Sequence, residues 1–275
     1  MLFADIALLA GVLLACRRYG AQRVMPAALL LYLALAIVLD VERATALAGA
    51  LAGGVIAGIA LEHNRGYGQL VALAAVPGII QGLLLLLFQD AFLPQEVLTN
   101  WLQQHLPTAE LSSEEAAVLQ SMVEVAWRLL PGMVFASHLL VVVLGYRLAQ
   151  ALGPRLRLGV PAALPFRFWR PWGQLIWGPV IGLGLHLVGS GQLAALGLNI
   201  VVATGLLFAV QGLALVHFFL QRLRFHWTLT VLAYLFLSLT SYLGTLVLAG
   251  VGLLDIWFDW RRLDAATGEI SGDAT

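Results

Sequence analysis

The chain has 275 residues, of which 61% are apolar and 11% charged, against roughly 45–50% and about 25% in an ordinary soluble domain. A soluble fold of this size has no core large enough to hide so much hydrocarbon, so the reading is an integral membrane protein. Lys is absent and 15 Arg balance 15 acidic residues, which gives no net charge to attract nucleic acid and removes every lysine-dependent chemistry, the P-loop included.

A bilayer core of about 30 Å needs roughly 20 helical residues. The apolar runs are too long and too little alternated for a barrel, so the predicted fold is all-α, a polytopic transmembrane helical bundle. Eight segments are expected: Leu2–Leu14, Met25–Leu39, Ala44–Leu61, Gln69–Phe88, Ala126–Tyr146, Trp172–Val188, Leu193–Phe219 and Leu229–Leu254. The first two are short. Met1–Ala15 lacks a basic n-region and a cleavage site and reads as a retained first helix.

Orientation follows from Arg. The eight-span map puts Arg17, Arg18, Arg23, Arg65, Arg147, Arg155, Arg157, Arg167, Arg170, Arg222 and Arg224 on one side, and Arg43, Arg128, Arg261 and Arg262 opposite. Positive residues accumulate in cytoplasmic loops, so both termini are predicted on the outer side of a bacterial inner membrane. Residues 1–264 read as a single membrane domain with an outer segment at 90–125. There Val97, Leu98, Trp101, Leu102 and Leu106 mark an amphipathic interfacial helix, and Ser112 with Glu115 has the spacing of a capping box. Residues 265–275 read as a disordered polar tail.

No catalytic motif is present. The single Cys16 excludes a CxxC pair, the six His offer no pair at zinc-helix spacing, and Gly189-Ser190-Gly191 is not a nucleophile elbow. The expectation is therefore a protein that is not an enzyme, with no cofactor and no metal.

Polar residues inside spans usually face a bundle interior. His186, Asn199 and Gln211, on consecutive segments, either line a polar cavity for a small molecule of unknown identity or act as interhelical hydrogen-bond glue. Ala46, Ala50, Gly54 and Gly58 form a small-xxx-small stripe, which is either a docking face for another membrane subunit or an internal seam. The basic aromatic stretch Pro165–Trp172, PFRFWRPW, reads as an interfacial anchor. In GLLDIWFDWRRL, Gly252–Leu263, a continuing helix would stack Asp255 on Asp259 and bring Asp259 to Arg262, with Arg261 beside them.

These last motifs, together with QGLALVHFFLQRL over Gln211–Leu223 and Asn199, resemble the YybS-like family of bacterial integral membrane proteins, a domain of unknown function. The resemblance is strongest over roughly the last hundred residues. It implies a distant similarity to the substrate-binding S components of energy-coupling-factor transporters and to the MreD shape-determining proteins. S components carry fewer helices and bear their small-residue stripe on the first, whereas here the stripe falls on the third segment. The resemblance implies either a binding or transport subunit that depends on a partner for energy, or a non-catalytic scaffold in envelope assembly. The lipid bilayer is the one partner that composition itself requires.

Overall fold

The computed structural model describes residues 2–39, 41–92, 113–162, 165–171, 173–223, 227–239 and 241–262. The interfacial helix expected at Val97–Leu106, Ser112 of the capping box and the polar tail lie outside the described residues. All regular structure among the described residues is helical: α1 (Leu2–Tyr19), α2 (Ala21–Leu39), α3 (Val41–Glu62), α4 (Tyr67–Phe92), α5 (Ser113–Leu152), α6 (Trp177–Val188), α7 (Gln192–Arg222), α8 (Trp227–Leu239) and α9 (Ser241–Phe258). Three 3₁₀ turns, Pro154–Leu156, Phe166–Phe168 and Gly173–Ile176, lie between α5 and α6.

Among the described residues, four helical stretches are long and apolar enough to cross a membrane: Ala21–Val38, Tyr67–Phe88, Ala117–Leu152 and Gln192–Arg222. Leu47–Glu62, Gly173–Val188 and Leu243–Phe258 are shorter and apolar. Many large apolar side chains point outward, Val188 at 90% and Ile37 at 85% exposure, a pattern that suits contact with lipid and would be costly in water. At 40 residues α5 is about 60 Å long, roughly twice the hydrocarbon thickness. It therefore extends beyond the bilayer, and Glu114 and Glu115 in its first turn favour the positive end of its dipole.

The chain folds as two compact units, Met1–Ala163 and Leu164–Thr275. In the first, α1 packs against α2, α3 and α5, and α4 packs against α3 and α5. Leu9, Leu13, Leu70, Val142 and Tyr146 are buried in its core. Polar contacts draw together one end of this unit. Arg17 Nε donates to Gly159 O at 2.9 Å, the Ala21 N–H donates to Glu62 Oε1 at 2.7 Å, and the Tyr146 hydroxyl donates to Pro161 O at 2.9 Å. The arginines of the α1–α2, α3–α4 and post-α5 turns thus share that end, as their charge pattern predicts.

In the second unit α7 is central, with α6 and α9 packed along it. Glycines set both crossings. A Cβ on Gly182 would sit 2.8 Å from Gly197 O, and one on Gly212 or Gly252 would overlap the carbonyl of Leu248 or Phe208. Only hydrogen at these positions lets the backbones approach so closely.

This unit departs from the eight-segment map at its last segment. Leu229–Leu254 comprises two elements, α8 and α9. Moreover, Arg261 hydrogen-bonds to the carbonyls of Arg167 and Trp169, and Arg167 bonds to Gln221 near the end of α7. Arg261 and the adjoining Arg262 therefore lie at the same end as Arg167, Arg170 and Arg222, not opposite them. The reason is parity: two elements after α7 return the chain to the end at which α7 finishes, whereas a single continuous helix would have carried it away.

Candidate functional site

The stripe on α3 faces inward. A Cβ on Gly54 would meet Val12 Cβ at 2.9 Å and Leu9 O at 3.0 Å, and one on Gly58 would overlap Cys16. Both glycines thus serve the α1–α3 seam. Ala50 is 2% exposed, and the side chain of Ala46 lies outside the described residues. On the neighbouring face His138 is held in a cage of glycines, with Nε2 donating to Ala74 O at 3.0 Å and Gly49, Gly53 and Gly78 against its ring. Such packing reads as structural.

His186, Asn199 and Gln211 do not converge on one cavity. His186 is exposed, and its Nδ1 donates to Ala194 O at 3.1 Å. Asn199 is buried, with Nδ2 donating to Ala195 O on its own helix at 2.9 Å. Gln211 lies twelve residues further along α7, about 18 Å away at 1.5 Å per residue. The three mark separate levels of the α7 seam.

Gln211 instead belongs with Asp255 and Arg261. Gln211 and Asp255 are 0% exposed and Arg261 is 5% exposed. One carboxylate oxygen, Asp255 Oδ2, accepts from Arg261 Nη2 at 2.6 Å, Arg261 Nε at 3.2 Å and Gln211 Nε2 at 3.0 Å. Among the described residues the other oxygen, Oδ1, has no hydrogen-bond partner, and neither has Gln211 Oε1. Arg261 uses its remaining edge on the loop, donating from Nη1 to Arg167 O at 2.9 Å and Trp169 O at 3.0 Å. A buried carboxylate is tolerable only when paired and hydrogen-bonded, and a guanidinium fork supplies both functions at once.

The local chain path makes the pairing. α9 ends at Phe258, and Asp259 takes φ +39° and Arg262 φ +54°, a left-handed conformation that Asp adopts more readily than most residues. Had the helix continued, Arg261 would stand about 240° around the axis from Asp255 and about 9 Å along it, out of reach. The predicted Asp255–Asp259 stack and Asp259–Arg262 contact are accordingly replaced. Asp259 faces Arg170 at 3.8 Å, and the Arg262 N–H closes a turn on Asp259 O at 2.8 Å.

The loop 165–171 is strapped to the same helix ends. Arg170 Nη2 donates to Ile256 O at 3.0 Å. Arg167 Nη1 donates to Gln221 Oε1 at 2.8 Å while its guanidinium lies 4.7 Å from the centre of the Phe168 ring. These arginines bind protein groups, which is more than an interfacial anchor requires. Periodicity could find Gln211 as an intramembrane polar residue, but not its partner on α9.

An open apolar groove of about 400 Å³ runs along α7 and α9, lined by residues that include Leu215, Phe219, Leu220, Val251 and Trp260. Leu215 is one turn beyond Gln211 on α7, and Val251 is one turn before Asp255 on α9. Residues so spaced share a helix face, but neither Gln211 nor Asp255 lines the groove, and both are 0% exposed. Among the described residues no three His, Cys, Asp or Glu side chains group as metal ligands.

No curated protein matches the chain, and no solved structure does. The family described as "Predicted membrane protein (DUF2232)" matches residues 2–256, from α1 through Asp255 in α9, and the chain belongs to that family of predicted membrane proteins.

Proposed function

We propose that this protein is a small-molecule-binding subunit of a bacterial inner-membrane transport assembly, in which Gln211, Asp255 and Arg261 hold the polar end of the ligand. The observation that carries the reading is the pair of buried acceptors that have no donor among the described residues, Asp255 Oδ1 and Gln211 Oε1. Leaving a buried acceptor unsatisfied costs about 1–3 kcal/mol, and a ligand bearing N–H or O–H groups relieves that cost on binding. With no Lys in the chain a P-loop is excluded, so energy for transport comes from a gradient or a partner ATPase. Such dependence on a partner is the role that the resemblance to S components of energy-coupling-factor transporters suggests.

The scaffold role suggested by the MreD resemblance would recruit partners through the α3 stripe or through the loops. The Gly54–Gly58 part of the stripe is covered by α1, which leaves that role the loops. Native mass spectrometry of the protein taken from its own membranes in lipid nanodiscs tests the binding reading. A stoichiometric small molecule is expected, its occupancy falling about tenfold in Gln211→Leu, in keeping with the worth of one buried hydrogen bond. An empty bundle that carries envelope-assembly proteins would replace this reading with the scaffold.

The same proposal fixes an orientation. The Arg-rich ends are cytoplasmic by the positive-inside rule, so the N-terminus is outside while the end of α9 is inside. Within the second unit, α8 and α9 together return the chain to the end at which α7 finishes, so the ends of α7 and α9 lie on the same side. Single cysteines placed by Arg222→Cys and Arg262→Cys in a Cys16→Ser background should both react with an impermeant maleimide from the cytoplasmic side. Labelling of position 262 from the outside alone would refute this orientation.

A further inference from the structure

Independently of the binding reading above, we propose that the α7–α9 groove is a site for an acidic phospholipid. One acyl chain lies in the groove, and the phosphate is held beyond its end by Arg222 and Arg262. The walls offer only apolar side chains: Leu215, Phe219, Leu220 and Leu223 on one side, Val251 and Trp260 on the other. From Leu215 to Leu223 the groove runs about 12 Å at 1.5 Å per residue, a shape that suits a length of acyl chain. Its Leu223–Trp260 end stands at headgroup level. Trp257, Phe258 and Trp260 are exposed there, at the end of α9, and aromatic rings collect at the boundary between hydrocarbon and headgroups.

Positive charge lies past this end. Arg167, Arg170, Arg222, Arg261 and Arg262 share it with Asp255 and Asp259, so among the described residues five cations meet two anions. Three of the five are engaged: Arg261 by Asp255, Arg170 by Asp259 and the Ile256 carbonyl, and Arg167 by Gln221. Arg222 and Arg262 are exposed, and among the described residues no carboxylate or carbonyl engages either guanidinium. Neither lines the groove; Arg222 directly precedes Leu223, and Arg262 follows Trp260 by two residues. A phospholipid has the same offset, since glycerol sets its phosphate apart from its acyl chains. A guanidinium fork matches phosphate geometry, and basic sites between helices at the membrane boundary take acidic headgroups. A neutral lipid would leave the two arginines unused, and a soluble anion would leave the groove unused.

The test uses the full chain, stripped of lipid in a neutral detergent and titrated with dioleoylphosphatidylglycerol or dioleoylphosphatidylcholine, with retention read by native mass spectrometry. A single phosphatidylglycerol should be held at least about tenfold more tightly than phosphatidylcholine, in keeping with two arginines near an anionic headgroup. Arg222→Gln/Arg262→Gln should bring phosphatidylglycerol down to the level of phosphatidylcholine. Val251→Trp, which fills the groove, should weaken both lipids; Leu220→Trp serves if that variant fails to accumulate. Inorganic phosphate at equal concentration should not displace the lipid. Equal retention of the two lipids overturns the proposal, as does a preference for phosphatidylglycerol that survives the double Gln variant. Indifference to the groove-filling variants would reduce the effect to diffuse surface attraction, and displacement by inorganic phosphate would make this a free-anion site; either result overturns the lipid site.

Discussion

Replacing Arg261 with Met is expected to destabilise the protein by about 3–5 kcal/mol, because it leaves Asp255 as an uncompensated charge in the interior. Asp255 is 0% exposed, and two of the three donors to its Oδ2 come from Arg261. The single change also frees the carbonyls of Arg167 and Trp169, so the loop 165–171 loses its strap. The double variant Asp255→Leu/Arg261→Met should recover more than half of the loss, since replacing a whole buried pair with apolar side chains is often neutral or stabilising. Reversible unfolding in mixed micelles, followed by helicity over the four members of this cycle, measures the coupling. Additive losses would show that the charges do not act as a pair.

The α7–α9 crossing is the second place where one atom should matter greatly. A methyl group at Gly252 would overlap Phe208 O and lie 2.7 Å from Gly212 N. These are backbone atoms of a packed helix and cannot turn aside. Gly252→Ala should therefore push the helices apart, with a cost of about 1–3 kcal/mol or more, and should weaken the Gln211–Asp255 hydrogen bond that depends on the close approach. Gly250, two residues earlier, has nothing within 4 Å of its would-be Cβ. Gly250→Ala should be neutral, or stabilising by up to about 1 kcal/mol through helix propensity. The two substitutions differ only in the face of α9 they occupy. Equal effects in the same unfolding measurement would mean that the crossing is looser than the structure shows.

Much of the architecture is a local property and was legible in the residues alone. Hydropathy reports the solvent a segment prefers, so the helical membrane class follows from composition. The Arg-bearing turns of the first unit, from Arg17 to Arg157, share one end as the charge bias predicts. Of the three intramembrane polar residues, Asn199 and Gln211 are buried and His186 is exposed; an amide in an apolar run needs a partner wherever the fold finds one.

What the sequence could not reveal are the partners themselves. Whether Leu229–Leu254 is one helix or two decides on which side Arg261 ends, and a run of apolar side chains does not record that break. Ideal helical spacing paired Asp255 with Asp259; only the left-handed turn at Asp259 returns Arg261 to Asp255. The stripe on α3 suits either another subunit or a neighbouring helix of the same chain, and it is the packing of Val12 and Cys16 against Gly54 and Gly58 that gives this part of it to α1. Residue sequence by itself determined which groups must be buried and which segments belong in lipid, since these depend on each side chain's own solvation. Tertiary structure decided which buried groups meet, because that depends on where helices end and how closely their backbones cross.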